Sequence, residues 1–240
     1  MLRTSMIVAF ASLALVAGSA LGVLQSFEGP PAGTVVAGQQ PGGGTASGTL
    51  FSGITLTVVN NGGGPNSLII FDSSAPTGED PDLGTPNSDF GGPGIGAGGR
   101  AGQPGENNTA YGNLLIIAED IVDVSPPDGL VDDPDDETGG GVVTIDFQTQ
   151  VLVERVVLID VEEWKTTTLR LFDGVNLVGE TLALALGDNS VQELAPAEPV
   201  GCTRAEVATV GSIGIGEIEY REITTSTERR SWGDVKKSFR

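Results

Sequence analysis

Apolar and polar residues alternate at every second position through most of this chain, and only an extended strand sends such residues to opposite faces. In GITLTVVN, Ile54, Leu56 and Val58 alternate with Thr55 and Thr57; in VVTIDFQ, Val143, Ile145 and Phe147 alternate with Thr144, Asp146 and Gln148. The run TTTLRLFDGVNLVGETLAL carries Asp173-Gly174 between two such stretches, a dipeptide that tolerates the positive φ of a tight hairpin. Further strands are predicted over 67–72, 113–118, 152–161, 191–194, 204–210 and 213–220. The last needs a bulge near Gly216, because Ile213 and Ile215 share one parity and Ile218 and Tyr220 the other. About ten short strands with no amphipathic helix define an all-β chain, most simply an antiparallel β-sandwich of jelly-roll type.

Two long inserts break the strand rhythm: residues 73–112, rich in Gly, Pro and Asn, and residues 119–141, rich in Asp. Loops of this length in a compact domain are either functional or disordered. The first contains GGPGIGAGGRAGQPG, which has the form G-x-G-x-x-G at Gly94, Gly96 and Gly99. It neither follows a strand nor opens a helix, so its amides have no geometry for a pyrophosphate, and a mobile loop is predicted instead. Asn107, in NNT, has the form of an N-glycosylation acceptor.

The opening MLRTSMIVAFASLALVAGSALG has Arg3, an apolar run from Met6 to Val16 and then small residues, the pattern of a secretory signal over 1–22 cut after Ala20 or Gly22. It predicts a secreted protein, extracellular or in the cell envelope, with a β-sandwich domain over 23–223 and an exposed basic tail over 224–240. No later segment is apolar enough to cross a bilayer, so no stable membrane insertion is expected after cleavage. Cys202 is the single cysteine, so no intrachain disulfide forms, and it is predicted to be a buried small residue.

With 32 acids against 12 bases the net charge is -20, and between Arg3 and Arg155 the only base is Arg100. Such a surface repels nucleic-acid phosphates and anionic lipid and attracts cations. The charge is densest in DGLVDDPDDETGGG, six carboxylates in the ten residues from Asp128 to Glu137. Carboxylates packed this closely repel one another unless something neutralises them. Calcium, which takes six to eight oxygens in flexible geometry, suits closely spaced Asp and Gly. Asp128, Gly129, Asp132 and Asp135 give D-G-x-x-D-x-x-D, with Asp133 and Asp136 beside them; no frame fits an EF-hand. Glu119 and Asp120 open the same insert, and FDSSAPTGEDPDLGTP supplies Asp72, Asp80 and Asp82 from the other. Strand ends can bring both inserts to one rim, so these ten acids are the predicted ligands of a composite calcium site.

The sequence has no histidine, which removes the Ser-His-Asp triad, the Cys-His pair and the commonest general base. Carboxylate-pair chemistry, as in a glycosidase or lyase, is what remains for catalysis, and a noncatalytic protein is predicted. The phrases LIIFDSSAPTGEDPDLGTPN, GNLLIIAED, DDPDDETGGG and LGDNSVQ resemble a family of uncharacterised exported bacterial β-sandwich proteins, many of which carry a PEP-CTERM sorting anchor. The resemblance implies an envelope or extracellular setting and, by analogy with jelly-roll carbohydrate-binding modules, binding of calcium and glycan, with Glu28 of SFEG as a further calcium ligand. The family's anchor is absent here, which implies release. Two functions follow as expectations: a calcium-stabilised module that binds extracellular polysaccharide, or a structural surface or matrix protein that uses calcium without reading a glycan. Sugars stack on exposed aromatics, for which Trp164 in DVEEWKTTT is the candidate.

Overall fold

A computed structural model describes residues 22–162 and 165–223 of the chain. The predicted signal up to residue 21, the basic tail over 224–240, Trp164 and Trp232 lie outside the described residues. Among the described residues no helix is long and apolar enough to cross a membrane.

The chain is almost entirely antiparallel β. The described residues form twelve strands, β1 (Gly22–Ser26), β2 (Val35–Gln39), β3 (Thr45–Ser47), β4 (Ile54–Asn60), β5 (Ser67–Asp72), β6 (Asn113–Ile117), β7 (Gly141–Ile159), β8 (Thr167–Asp173), β9 (Asn176–Leu182), β10 (Val191–Leu194), β11 (Gly201–Thr209) and β12 (Gly214–Glu222). All belong to one hydrogen-bonded network in the order β3-β2-β5-β6-β12-β7-β11-β8-β9. The two strands predicted over 142–148 and 152–161 are one strand, β7, whose first half pairs with β4 and β11 and whose second half pairs with β12 and β10. One long strand thereby serves two branches of the network. The bulge expected at Gly216 is present, as a register shift between Ile215 and Glu217 against β7. The β8–β9 turn falls one residue later than predicted, on Gly174-Val175, with Asp173 paired to Asn176. β1 starts at Gly22 opposite Arg221, so a signal cut after Ala20 leaves this strand whole.

Alternating strands bury one face and continuous apolar strands bury both. In β4 and the first half of β7, Ile54, Leu56, Val143, Ile145 and Phe147 point into the main core, with Val58 packed against it. In SLIIFD, NLLII and the VVLI end of β7, neighbouring residues go to different cores: Leu68, Ile70, Leu115 and Leu158 join the first, whereas Ile69, Phe71, Leu114 and Ile159 form a second. Leu83 from the first insert and Val131 from the second complete that second core, with Tyr111 and Ile121 half-buried beside them. The two inserts are therefore a layer laid over the outer face of the sheet. Cys202 is buried and its thiol is pushed up to about 11 by desolvation, as expected of an unreactive packing residue.

Two expectations about the first insert are corrected. The glycine stretch is not a mobile loop but a packed one, with Gly94 N–H donating to Pro86 O (3.0 Å), Ile95 N–H to Pro81 O (2.8 Å) and Gly98 N–H to Asp188 O (2.9 Å). A Cβ at Gly94 would lie 2.7 Å from Asn189 Nδ2 and one at Gly99 2.6 Å from Asn189 Oδ1, so glycine is required there for close approach. Asn107 is fully buried and its Nδ2 donates to Gly84 O (3.0 Å), so in the folded chain it is not a glycan acceptor.

Candidate metal centre

The end of the acidic insert runs back along the end of β6. Glu119 N–H donates to Asp135 O (3.1 Å) and Glu137 N–H to Ile117 O (2.9 Å), and Ala118 and Asp136 form an isolated antiparallel bridge. This pairing turns Asp136 inward, where it is 2% exposed, and leaves Asp135 half-buried at the rim. Ser212, in the connection between β11 and β12, donates to the Asp136 carboxylate (Oγ to Oδ1, 2.6 Å).

The first insert meets this segment directly. Thr77 Oγ1 donates to Pro134 O (2.9 Å), Gly78 N–H to Asp133 Oδ1 (3.0 Å) and Asp136 N–H to Asp80 Oδ2 (3.0 Å). One carboxylate oxygen from each of Asp80, Asp135 and Asp136 lies within 4.8 Å of the others. Two oxygens bound to one calcium at about 2.3–2.6 Å can be at most about 5 Å apart, so this spacing admits a shared ion.

Burial is the first cause of the electrostatics here. It pushes Asp136 up to about 7, against the opposing hydrogen bond from Ser212. It raises Asp80 as well, with the Asp136 charge second, and raises Asp135. Glu119 is raised mainly by the charge of Asp135, which places it beside the trio. Among the described residues no Lys or Arg forms an ion pair with Asp80, Asp135 or Asp136. Three partly desolvated carboxyls without a basic partner must share protons or a cation.

The predicted ligands thus divide. Asp80, Asp135 and Asp136 converge, and Glu119 adjoins them. Four others shape their own loops by accepting backbone amides: Asp72 from Ser74 (2.9 Å), Asp120 from Val122 (2.9 Å), Asp128 from Leu130 (3.1 Å), and Asp132 from Val124 (2.8 Å) and Ser125 (2.9 Å); Asp133 instead accepts Gly78 N–H across the two inserts. The D-G-x-x-D-x-x-D frame is therefore a folding signal for the loop more than a ligand set, with Asp135 its only member in the convergent trio. Asp82 lies outside the trio, and its charge acts on both Asp136 and Asp160. Glu28 accepts the amide of Asn113 (2.9 Å) at the start of β6.

Ser212, Glu137, Asp160 and Asn189 are absent from the predicted set. Glu137 is buried and accepts Gly139 N–H (2.9 Å) and Gly64 N–H (3.3 Å), tying the acidic insert to the loop after β4. Among the described residues the non-glycine positions with positive φ are Glu79, Asp133, Asp160 and Asn189, each next to or part of these acidic groupings. Left-handed backbone is cheapest for Asn and Asp and costs more at Glu79.

A metal-independent check of this geometry is Ser212→Ala. Removing the donor from buried Asp136 is expected to destabilise chelated protein by about 1–3 kcal/mol, read from urea unfolding with unchanged slope. A loss below about 0.3 kcal/mol would show that Asp136 is not held as described.

No protein-family profile matches the chain, and no curated protein is significantly similar to it in sequence.

Proposed function

We propose that the chain is an exported, noncatalytic β protein in which a hard divalent cation, calcium by its all-oxygen donors, fastens the two inserts over the sheet, and that it serves as a structural component of a cell surface or extracellular matrix. The observation that carries this is the convergence of Asp80 from one insert with Asp135 and Asp136 from the other. An ion there replaces the mutual repulsion of the carboxylates by shared coordination. The signal-type opening of the sequence supports export, and the absence of histidine supports a protein without turnover.

Polysaccharide binding is the less favoured reading, because the tyrosines in the described residues are poor sugar platforms. Tyr220 is buried against Phe147, with ring centroids 4.9 Å apart, and Tyr111 is half-buried in the second core. Hydrogen exchange tests the structural role. Calcium should slow exchange at Gly78 and Asp136, the amides that join the inserts, and leave the β8–β9 hairpin unchanged. Equal protection with and without calcium at both amides would remove the fastening role.

A further inference from the structure

We propose a second cation site, adjoining the first, in which the carboxylates of Asp82 and Asp160 take a hard divalent ion beneath the glycine-rich part of the first insert. Asp160 follows directly on the doubly buried end of β7, with φ of 65° and an exposure of 0%. Its Oδ1 accepts Asn189 N–H at 2.7 Å, whereas its Oδ2 is buried with no hydrogen-bond partner. Asp82, in the short 3-10 helix Pro81–Leu83, likewise has Oδ1 buried without a partner.

One side chain ties these residues together. Asn189 Nδ2 donates to Asp82 O (2.6 Å) and Gly84 O (2.7 Å), while the Asn189 amide holds Asp160 and its Oδ1 accepts from Asn87 (2.7 Å). The other buried side-chain oxygens without a partner among the described residues are Asn107 Oδ1 and Ser190 Oγ. Asn107 is bonded to the same Gly84 carbonyl, and Ser190 O accepts Asp160 N–H (2.7 Å). The unsatisfied buried oxygens of the described chain thus gather in one place instead of being scattered.

Buried polar groups in folded proteins are almost always satisfied, so a concentration of exceptions calls for a ligand. The two carboxylates, with a neutral amide oxygen and a hydroxyl unpartnered in the same neighbourhood, are all hard oxygen atoms, which is chemistry for calcium or a similar hard ion and not for a soft metal. Neither Asp82 nor Asp160 is in an ion pair with Lys or Arg among the described residues. Burial and then the Asp82 charge raise the Asp160 carboxyl, with the Asp136 charge of the adjoining trio adding to them, while Asp188 and Glu162 add negative charge near Asp82. The competing arrangement is a proton shared by the two acids.

The test counts calcium ions on the full-length chain by equilibrium dialysis at millimolar ion. Wild type should take one more ion than Asp160→Asn, and Asp135→Asn should retain that ion while losing the other. If the only ion disappears in Asp135→Asn and persists in Asp160→Asn, this site is refuted and the Asp80 trio stands. The reverse pattern refutes the trio and leaves this site standing; no ion in wild type refutes both and leaves the shared proton. Should Asp160→Asn not fold, terbium bound to Asp135→Asn decides by its luminescence lifetimes in H₂O and D₂O. An ion with few or no coordinated waters supports the enclosed site, and only water-rich terbium overturns it.

Discussion

Chelated protein is expected to unfold roughly 5–10 °C below calcium-saturated protein. A ligand at about a hundred times its dissociation constant stabilises the state that binds it by about 2.7 kcal/mol, and a domain of this size shifts by about 2–4 °C per kcal/mol. The variants locate the effect. Asp135→Asn should remove one site's worth of the shift, because its carboxylate belongs to the convergent trio. Asp132→Asn should keep the shift and lower stability with and without calcium alike, because Asp132 accepts the amides of Val124 and Ser125 inside its own loop. Scanning calorimetry of wild type and both variants decides it; equal loss of the calcium effect in the two would return Asp132 to the ligand set.

The second large effect is a reversal of pH dependence. In chelated protein Asp136 titrates at about 7, above its ordinary 3.8, so between those values the folded chain holds a proton that the unfolded chain has released. Stability of the ion-free protein must then fall as pH rises from about 4 to about 7, by roughly 2–4 kcal/mol, and return on acidification. Asp80, also raised by burial, extends the fall above neutrality. Calcium requires ionised ligands, so in its presence acidification releases the ion and stability falls in the opposite direction. Urea midpoints across this range, with dialysed and calcium-saturated protein, should give curves of opposite slope. Parallel curves would mean that the carboxylates near Asp136 never hold the ion.

Strand positions were legible because period-two alternation is a local signal. The predicted ranges 67–72 and 191–194 coincide with β5 and β10, and the bulge at Gly216 follows from parity alone. β1, β2 and β3 escaped because Gly and small polar residues blur the alternation in GVLQS, VVAGQ and TAS. The continuous apolar runs LIIF and LLII held more than was drawn from them: a strand apolar on both faces needs cover on both, and only the inserts remained to supply it. Leu83 and Val131 are where that cover attaches.

Composition pointed to the segments that supply the convergent carboxylates, but not to which of their acids converge. An Asp that caps a backbone amide and an Asp that faces a neighbouring carboxylate look alike in sequence, so Asp132 and Asp135 could not be separated. Their difference arises from the pairing of residues 135–137 with the end of β6, a contact between segments. Asp160 was obscured for another reason. It ends a buried apolar run, where a charged residue reads as a strand terminus, and its role depends on Asn189 and Asp82 far along the chain.

The most direct measurement is an anomalous difference map from crystals grown with calcium and then exchanged into terbium. A peak is expected between Asp80, Asp135 and Asp136, with an oxygen of each at about 2.3–2.6 Å from the ion. A map without that peak, in which Asp80 and Asp135 instead hydrogen-bond directly through a shared proton, would contradict the shared ion.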